Sequence, residues 1–591
     1  MKQHGKQEGD GAGLLRAVLA ALSLAVGLGV AFLVPVEAAP EFVRHGGYLF
    51  VFVACACFGF YLWRSLRGGR PWRSYSREKL VGVAAMLLGG WLLFVHADFG
   101  PKIAMDDYIL ASTARNLHES REVRTTLRVE PEGERFAPAE TRVDKRPWLY
   151  PFLVSVLHDV AGYRPAHPFV LNAALGIGGL ALGFAFGYGL AGLAGGVLAV
   201  FLWVSLPLLA QNATGGGMEL LNLFLLQLVL VLGFRYLREP GRAREGAFAL
   251  AGLLLFYSRY ESALFLVPVA AVIVLGWLRA GRAFLSGGTL LVPPLMVAGL
   301  LQLRRYFGEP ASWELTGGAE SAFALRHIAE NLPHALAFFF SYDDTLANSL
   351  LLSGAGLAGV FIFLLLLRTE WGRYWRERPA AVVLAVFAPV FVAHLALVLG
   401  FHAGRLDSPF VSRYALPVHC LLIFAPVVVL EYFGRARPRV WSWAAGVTGV
   451  FLLAFTLPMN AKAIFSKRNF AIREQAWLER LSGREIRSQS LVIDRFTVPW
   501  ALRDWPSRPP HQVAGKATEL IRAVRMGRYP EVYFVERNHY ADGRFVPHTP
   551  FAEELHDAFE MKRVAERSFR PFSLTRIYKI EASRASEGGA D

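Results

Sequence analysis

Residues 80–107, LVGVAAMLLGGWLLFVHADFGPKIAMDD, pass from an almost wholly apolar segment into two adjacent carboxylates, Asp106 and Asp107. A helix of about 20 apolar residues spans the hydrocarbon core of a bilayer, and residues 80–97 come close to that length. Similar segments recur along a chain of 591 residues that is 54% hydrophobic. The sequence therefore predicts a polytopic α-helical membrane protein with about 13 transmembrane helices. The predicted spans are 14–36, 46–64, 80–97, 167–189, 191–209, 218–235, 246–258, 261–278, 284–303, 347–367, 380–400, 412–432 and 440–458.

The basic residues cluster in short loops between the predicted spans, so the net charge of +15 does not indicate nucleic-acid binding. If the N-terminus is cytoplasmic, the basic loops 64–79 and 235–245 both fall on the cytoplasmic side, as do Arg279, Arg376 and Arg435. Cytoplasmic loops carry an excess of Lys and Arg. This bias predicts the orientation of the chain and places residues 98–166 outside. The three cysteines lie in apolar segments, which indicates packing rather than disulfides.

Four regions are predicted along the chain. The last region, residues 459–591, has the composition of a soluble domain, and helical and strand patterns alternate along it. It is therefore predicted to be a small extracytoplasmic α/β domain, and it contains no recognisable catalytic motif. The regions are N-terminal transmembrane helices (1–97), a first outer loop with interfacial helices (98–166), a multi-span core with an outer loop at 304–346 (167–458), and the α/β domain (459–591). Its predicted elements are helices at 469–482 and 517–527 and strands at 490–495, 531–536 and 573–581.

The two carboxylates open a predicted amphipathic helix. Leu110, Ala114 and Leu117 share one face of this helix, which is typical of a helix lying on a membrane surface. One interpretation is structural, because Asp is a favoured N-cap and complements the helix dipole. The other interpretation is catalytic, and the next part of the loop bears on the choice.

Residues 123–163 contain a predicted hairpin and then a second interfacial helix that begins after Pro147. Asp144, Lys145 and Arg146 directly precede this helix, so an acid and two cations are expected in a small polar pocket against lipid. The structural alternative is that the two cations bind lipid headgroups while Trp148 and nearby aromatic residues form part of an interfacial belt.

The motifs MDDYILASTARNL (105–117) and DKRPWLYPFLVSVLHDVAGY (144–163) resemble two elements of the GT-C superfamily of membrane glycosyltransferases. The more similar branches are the dolichyl-phosphate-mannose protein mannosyltransferases and the lipid A aminoarabinose transferases. The resemblance is specific in the first outer loop and general over residues 80–460. Two features depart from the family: two extra spans precede its usual first helix, and Asp144 and Arg146 stand where it usually has Glu and Pro.

The resemblance implies transfer of a sugar, hexosyl or pentosyl, from a polyprenyl-phosphate donor to a glycan, lipid or protein acceptor outside the bacterial inner membrane. It implies that Asp106 is the catalytic base and that Asp107 orients it, binds a metal or contacts the acceptor. It further implies that Lys145 contacts the donor phosphate and that Asp144 positions a metal ion or that lysine. Carboxylate oxygens suit Mg²⁺ or Mn²⁺, so a divalent ion is a candidate cofactor.

Further charged residues are expected at the outer ends of the spans. Arg259 and Arg413 are candidate ligands of the donor phosphate. The structural alternatives are a neighbour pair between Arg259 and Glu261, and snorkelling of Arg413 to the membrane interface. The candidate substrate-binding residues are Tyr108, Arg146, Tyr150, Glu219 and Glu261.

A transporter or flippase of lipid-linked sugars is the alternative function. Many spans with charged residues fit a transporter in general. The sequence argues against it, because the halves show no inverted repeat, the charges gather at one face instead of the midplane, and large pieces lie outside.

The predicted orientation can be tested with a reporter enzyme that is active only outside the cytoplasm. Fused after residue 500, in the C-terminal domain, the reporter is expected to be active. Fused at residue 70, in a basic loop, it is expected to be silent. The reverse pattern would place both carboxylates in the cytoplasm and contradict the outward-facing site.

Overall fold

The computed structural model describes residues 4–67, 76–96, 98–132, 135–309, 313, 315, 320–343, 345–462, 470–541, 544–547, 549–569 and 573–584. Helices fill the membrane domain as far as residue 460, and a sheet with short helices forms the C-terminal domain. The loop between the two β-strands of the first outer region and part of the predicted outer loop 304–346 lie outside the described residues.

Seventeen helices and one hairpin of strands are described in the membrane domain. Short 3₁₀ turns at Tyr260–Phe265 and Ser412–Ala415 precede two of the helices. The elements are α1 (His4–Leu33), α2 (Ala39–Arg67), α3 (Ser76–Phe94), α4 (Ala104–Ser120), β1 (Thr125–Glu132), β2 (Arg135–Arg142), α5 (Leu149–Ala161), α6 (His167–Val204), α7 (Pro207–Ala213), α8 (Glu219–Arg238), α9 (Arg242–Phe256), α10 (Leu266–Ala280), α11 (Gly287–Gly308), α12 (Leu325–Phe340), α13 (Leu350–Glu377), α14 (Pro379–Leu399), α15 (Leu416–Gly434), α16 (Arg439–Phe451) and α17 (Leu457–Asn460).

The polytopic helical fold is confirmed, but the count of 13 spans is not. Within the described residues, ten helical segments are long and apolar enough to cross a membrane. Three predicted spans are not counted separately, each for a physical reason. The span at 80–97 falls in α3, whose start Arg77-Glu78-Lys79 is charged. The span at 246–258 falls in α9, which has only 15 residues and is largely surrounded by protein. The span at 191–209 is the second limb of α6, and the count of ten takes the two limbs as one segment although the backbone turns between them.

The helix α6 is a tight hairpin of two limbs. The backbone turns at Ala191 and Gly192, and the φ of Gly192 is +66°, a conformation that glycine adopts without a steric penalty. A Cβ atom placed on Gly187 would lie 2.5 Å from the carbonyl oxygen of Gly195, so the two limbs touch at their backbones. Small residues permit such close contacts between helices in a bilayer.

A cluster of arginines lies at the end of the bundle opposite the first outer loop. Glu431, near the end of α15, pairs with Arg378 at 2.6 Å, with Arg435 at 2.5 Å and with Arg373 at 3.4 Å. Arg279 also donates to the carbonyl oxygen of Arg376. Several of the basic residues that decide the predicted orientation, from α10, from α13 and from the segments next to α14 and α15, therefore meet at one end of the molecule.

The C-terminal domain contains a mixed sheet flanked by short helices, which agrees with the predicted α/β class. The elements are α18 (Phe470–Leu481), β3 (Leu491–Asp494), α19 (Val498–Ala501), β4 (Ser507–Arg508), α20 (Ala517–Arg525), β5 (Val532–Ala541), β6 (Arg544–Pro547), α21 (Ala552–Ala558), β7 (Phe559–Phe569) and β8 (Ser573–Ser583). In the described residues the strand order is β4-β3-β5-β8-β7, with β6 paired to β5. Strand β3 is parallel to β4 and β5, whereas β8 is antiparallel to β5 and β7.

Ion pairs hold this domain against the first outer loop. Arg115 of α4 contacts Asp504 at 3.0 Å and donates to the carbonyl oxygen of Leu502. Glu130 of β1 pairs with Arg508 at 3.0 Å and with Arg528 at 2.6 Å. The C-terminal domain therefore lies at the same end of the molecule as Asp106 and Asp107.

Candidate functional site

Asp106 and Asp107 lie in the first turn of α4, directly after the chain leaves α3. The N-cap position is Ile103, and it makes no side-chain capping bond. The interpretation of these residues as a simple N-cap is therefore wrong. Both carboxylates can still interact favourably with the positive end of the helix dipole. Asp106, however, contacts arginines distant in sequence, and Asp107 accepts hydrogen bonds from backbone N–H groups.

Asp106 is held between two arginines. Its Oδ1 accepts a hydrogen bond from Arg146 Nε at 3.1 Å, and its Oδ2 accepts one from Arg413 at 2.5 Å. Burial alone would raise the pKa of Asp106, but the charges of Arg413 and Arg146 outweigh it and hold this pKa well below its usual range. Asp106 is therefore a stable anion whose main effect is to position two guanidinium groups.

The ion pairs continue beyond Asp106 in both directions. Arg146 also donates to Asp144 Oδ1 at 2.8 Å. On the other side, Arg413 lies 3.1 Å from Glu219 Oε1, and Arg259 donates to the same oxygen at 2.5 Å. Arg259 then pairs with Glu261. We call the series Asp144, Arg146, Asp106, Arg413, Glu219, Arg259 and Glu261 the arginine–carboxylate chain.

The arginine–carboxylate chain joins elements that are far apart in sequence. Arg413 lies in the 3₁₀ turn before α15, and Arg259 lies in the turn after α9. Glu219 is the first residue of α8 and is 4% exposed. Tyr414 lies beside both arginines, with its ring centre 4.6 Å from the guanidinium of Arg259. The interpretation of Arg413 as a snorkelling residue is wrong, because its side chain is buried and paired.

Asp107 has a different environment from its neighbour. Its Oδ2 accepts hydrogen bonds from the backbone N–H groups of Lys102, at 2.8 Å, and of Ile103 and Gly216, each at 3.4 Å. Its Oδ1 is buried without a hydrogen-bond partner among the described residues. Burial raises the pKa of Asp107 to about 7; the nearby charge of Glu219 adds to the rise, and the hydrogen bond from Lys102 opposes it.

The glycine run 215–217 allows the close approach of Asp107 and Glu219. A Cβ atom on Gly217 would clash with the carboxylate of Glu219 and lie 3.6 Å from Asp107 Oδ1. Lys102, which the sequence interpretation did not select, packs against Gly215 and is 6% exposed. Burial lowers the pKa of Lys102 to about 8. In the sequence, the position of Lys102 four residues before Asp106 is the feature that could have identified it as a site residue.

The other predicted residues lie around this centre. Tyr108 donates its hydroxyl hydrogen bond to Gln475 of the C-terminal domain. Tyr150 is 1% exposed and donates to the carbonyl oxygen of Pro168, and Trp148 donates to that of Gly47. The interpretation of these two aromatics as an interfacial belt is wrong, because both are buried in protein. Lys145 is partly exposed, and its contact with a donor phosphate stays a prediction.

Three carboxylates of this site, Asp106, Asp144 and Glu219, do not fit a divalent cation. Asp106 uses both oxygens on arginines, Arg146 occupies Oδ1 of Asp144, and two arginines share Oε1 of Glu219. A metal ion needs several oxygens directed at one point, whereas a guanidinium occupies each of these three carboxylates. Within the described residues, no group of three or more possible ligands is suitable for a metal. The predicted metal role of Asp144 is thus not supported by its contacts.

Comparison with known proteins yields only distant structural likenesses. No protein-family model and no curated protein matches the sequence. ArnT from Cupriavidus metallidurans, solved with undecaprenyl phosphate, matches at 15% identity with a TM-score of 0.48, covering 85% of this chain and 98% of ArnT. An Archaeoglobus fulgidus oligosaccharyltransferase tethered to an acceptor peptide matches at 11% identity with a TM-score of 0.42, covering 81% and 75%. Likenesses of this size do not establish a function for this chain.

The raised pKa of Asp107 predicts a pH dependence of stability. Between about pH 4 and pH 7 the folded protein keeps a proton that the unfolded chain has already released, so its stability falls as the pH rises through this range. The thermal-unfolding midpoint is therefore expected to decrease from pH 5 to pH 8 by more in the wild type than in Asp107→Asn. Equal decreases in the two proteins would show that Asp107 titrates near its ordinary value.

Proposed function

We propose that this protein is a membrane glycosyltransferase that moves a sugar from a polyprenyl-phosphate donor to an acceptor outside the cytoplasm. The observation that carries the proposal is the arginine–carboxylate chain, which holds three buried or half-buried guanidinium groups beside two carboxylates of unlike pKa. A leaving phosphate needs positive charge, and an acceptor hydroxyl needs a base. Both requirements are met within one cluster of side chains.

The donor phosphate is assigned to Arg413 and Arg259. Glu219 Oε1 lies between these two guanidinium groups, so its carboxylate occupies the position that a phosphate oxygen would take. Arginine binds phosphate through several N–H groups at fixed geometry. Asp106 and Tyr414 hold the two arginines from other directions, which keeps the positive charge in place before the donor arrives.

Asp107 is assigned the role of base, in place of Asp106. A general base works best when its pKa is near the working pH, which describes Asp107 and not Asp106. In the reaction an acceptor oxygen attacks the anomeric carbon, and the bond from that carbon to the phosphate oxygen breaks. The electron pair leaves with polyprenyl phosphate, and the proton of the acceptor hydroxyl passes to Oδ1 of Asp107.

The polyprenyl tail is assigned to an apolar groove of about 620 Å³ between α3, the second limb of α6 and α16. Trp91 and Leu453 border this groove, and 59% and 70% of their surfaces are left uncovered by the rest of the protein. Helix α3 leads directly into α4, so the groove runs along the same element that delivers Asp106 and Asp107. A chain of isoprene units would cover these apolar faces.

The orientation is part of the proposal. The arginine cluster around Glu431 lies at the end of the bundle opposite the arginine–carboxylate chain. Basic residues favour the cytoplasmic side, which supports an inner-membrane protein with its site facing the periplasm or exterior. The flippase alternative gains no support, because the charges that could carry a sugar across lie together at one end.

Two single substitutions separate the roles of the carboxylates. Asp107→Asn is expected to lower kcat by about 10²-fold or more, because it removes the base, with little change in the KM for the donor. Asp106→Asn is expected mainly to raise that KM, because Arg146 and Arg413 lose the anion that positions them. The measurement is release of polyprenyl phosphate by purified, folded protein from the polyprenyl-linked sugars that accumulate in cells lacking the gene.

Glu119→Gln is the matched control, since Glu119 lies on the same helix α4 and its side chain is 51% exposed. It is expected to behave as the wild type. A large loss of kcat in Asp106→Asn, together with near-normal turnover by Asp107→Asn, would return the role of base to Asp106. Wild-type turnover by both variants would remove the two carboxylates from the chemistry.

A further inference from the structure

A single polar residue interrupts the helix α14. Every other residue of this helix, Pro379–Leu399, is apolar, whereas position 394 is a histidine. The side chain of His394 is completely buried. An ionisable residue inside a membrane-spanning segment is costly to bury, and such residues usually serve a function. The sequence interpretation did not select His394, so its contacts have to show what it does.

His394 makes a hydrogen bond to another part of the chain. Its Nε2 lies 2.9 Å from the backbone carbonyl oxygen of Tyr414, in the 3₁₀ turn Ser412–Ala415. A carbonyl oxygen can only accept, so Nε2 carries the proton and donates it. In a 3₁₀ turn this carbonyl would accept from the residue three positions further on, but that residue is Pro417, which has no N–H. The imidazole therefore supplies a bond that the 3₁₀ pattern cannot provide there.

The residue held by His394 touches both arginines that are assigned to the donor phosphate. The ring centre of Tyr414 lies 4.6 Å from the guanidinium of Arg259 and 5.2 Å from that of Arg413. A guanidinium over an aromatic face is attracted to it. Since Arg413 directly precedes Tyr414 in the chain, a shift of the Tyr414 backbone would move both the ring and Arg413.

The imidazole itself is enclosed by apolar side chains. The ring centre of buried Phe265 lies 6.1 Å from that of His394. On the other ring nitrogen, Nδ1 is buried and has no hydrogen-bond partner among the described residues. The contact with the Tyr414 carbonyl oxygen is therefore the polar interaction by which the described surroundings hold this ring.

Packing alone does not explain a histidine at this position. An apolar side chain of similar volume would fill the same space between α14 and Phe265, and it would not bury a polar atom such as Nδ1 without a partner, which costs free energy. What the imidazole adds is one directed bond from α14 to the turn before α15. That turn carries Arg413.

We propose that His394 is a positioning residue for donor binding, which holds the turn Ser412–Ala415 so that Arg413 and Arg259 stay directed at one phosphate. The inference rests on the proposed function and adds a residue of α14 to the site. His394 acts through Tyr414 and does not touch the donor itself.

The test measures the Kd of undecaprenyl phosphate for the purified full-length protein in nanodiscs. His394→Leu keeps the apolar packing but removes the bond, and it is expected to raise this Kd about tenfold, because the guanidinium groups lose their fixed placement. His394→Asn, whose amide is too short to reach the carbonyl oxygen, is expected to raise it as well. His394→Gln can place an amide N–H near the position of Nε2 and is expected to restore the Kd to within about twofold of the wild type.

Turnover separates positioning from chemistry. With the polyprenyl-linked sugars that accumulate in cells lacking the gene as donor, His394→Leu is expected to raise the KM by the same factor as the Kd. The kcat is expected to stay close to the wild-type value, because the contacts of Asp107 do not involve α14.

His419→Leu is the matched control. His419 is also buried and also bonds a backbone carbonyl of this turn, that of Ala415 at 2.8 Å, but it lies in α15, which directly follows the turn. Its bond therefore joins no separate elements, and the Kd is expected to stay unchanged.

Three results would overturn the inference: a normal Kd in the folded Leu and Asn variants of His394, an equal rise in His419→Leu, or no recovery in His394→Gln. A wild type that neither binds undecaprenyl phosphate nor releases it from the donor would contradict the proposed function itself.

Discussion

The pairing of Asp106 with Arg146 and Arg413 is the constraint on which the rest of the site depends. Each partner comes from a different part of the chain: the first turn of α4, the segment before α5 and the turn before α15. Breaking one partner of a buried ion pair costs about 3–5 kcal/mol, because the other charge stays buried without compensation. These outer elements must therefore fold together, and once they do, Glu219 and Arg259 are brought into the same network.

This constraint also separates two neighbouring carboxylates. Asp106 is fixed as an anion by guanidinium groups, whereas Asp107 turns toward backbone N–H groups and the glycine run, where burial dominates. Pairs of titratable groups with opposed pKa shifts are a feature of catalytic sites. Helix α3, which borders the apolar groove, leads into the turn that carries both carboxylates, so a lipid-borne donor bound in the groove would lie along the same element.

Sequence patterns predicted the parts of the structure that depend on local periodicity. The apolar spans, the hairpin of β1 and β2, α4, α5 and the main elements of the C-terminal domain follow from them. Strand β7 was missed because FEMKRVAERSF carries many charges on an edge strand. The two spans predicted at 167–189 and 191–209 correspond to the two limbs of α6. In the site, Arg259 and Arg413 were predicted because they are charged residues at the ends of spans. Their common contact with Glu219 arises only in the folded structure. The burial of Lys102 and the unlike environments of the two carboxylates likewise arise only from packing.

We propose that Arg413 and Arg259 bind the phosphate of a polyprenyl donor where Glu219 now lies. The most direct measurement is a cryo-electron microscopy structure of the full-length protein in nanodiscs with undecaprenyl phosphate. We expect the phosphate within hydrogen-bond distance of both guanidinium groups, with Glu219 moved aside and the tail in the groove beside α3. A phosphate bound at the arginine cluster around Glu431, or density remote from Arg413, would contradict it.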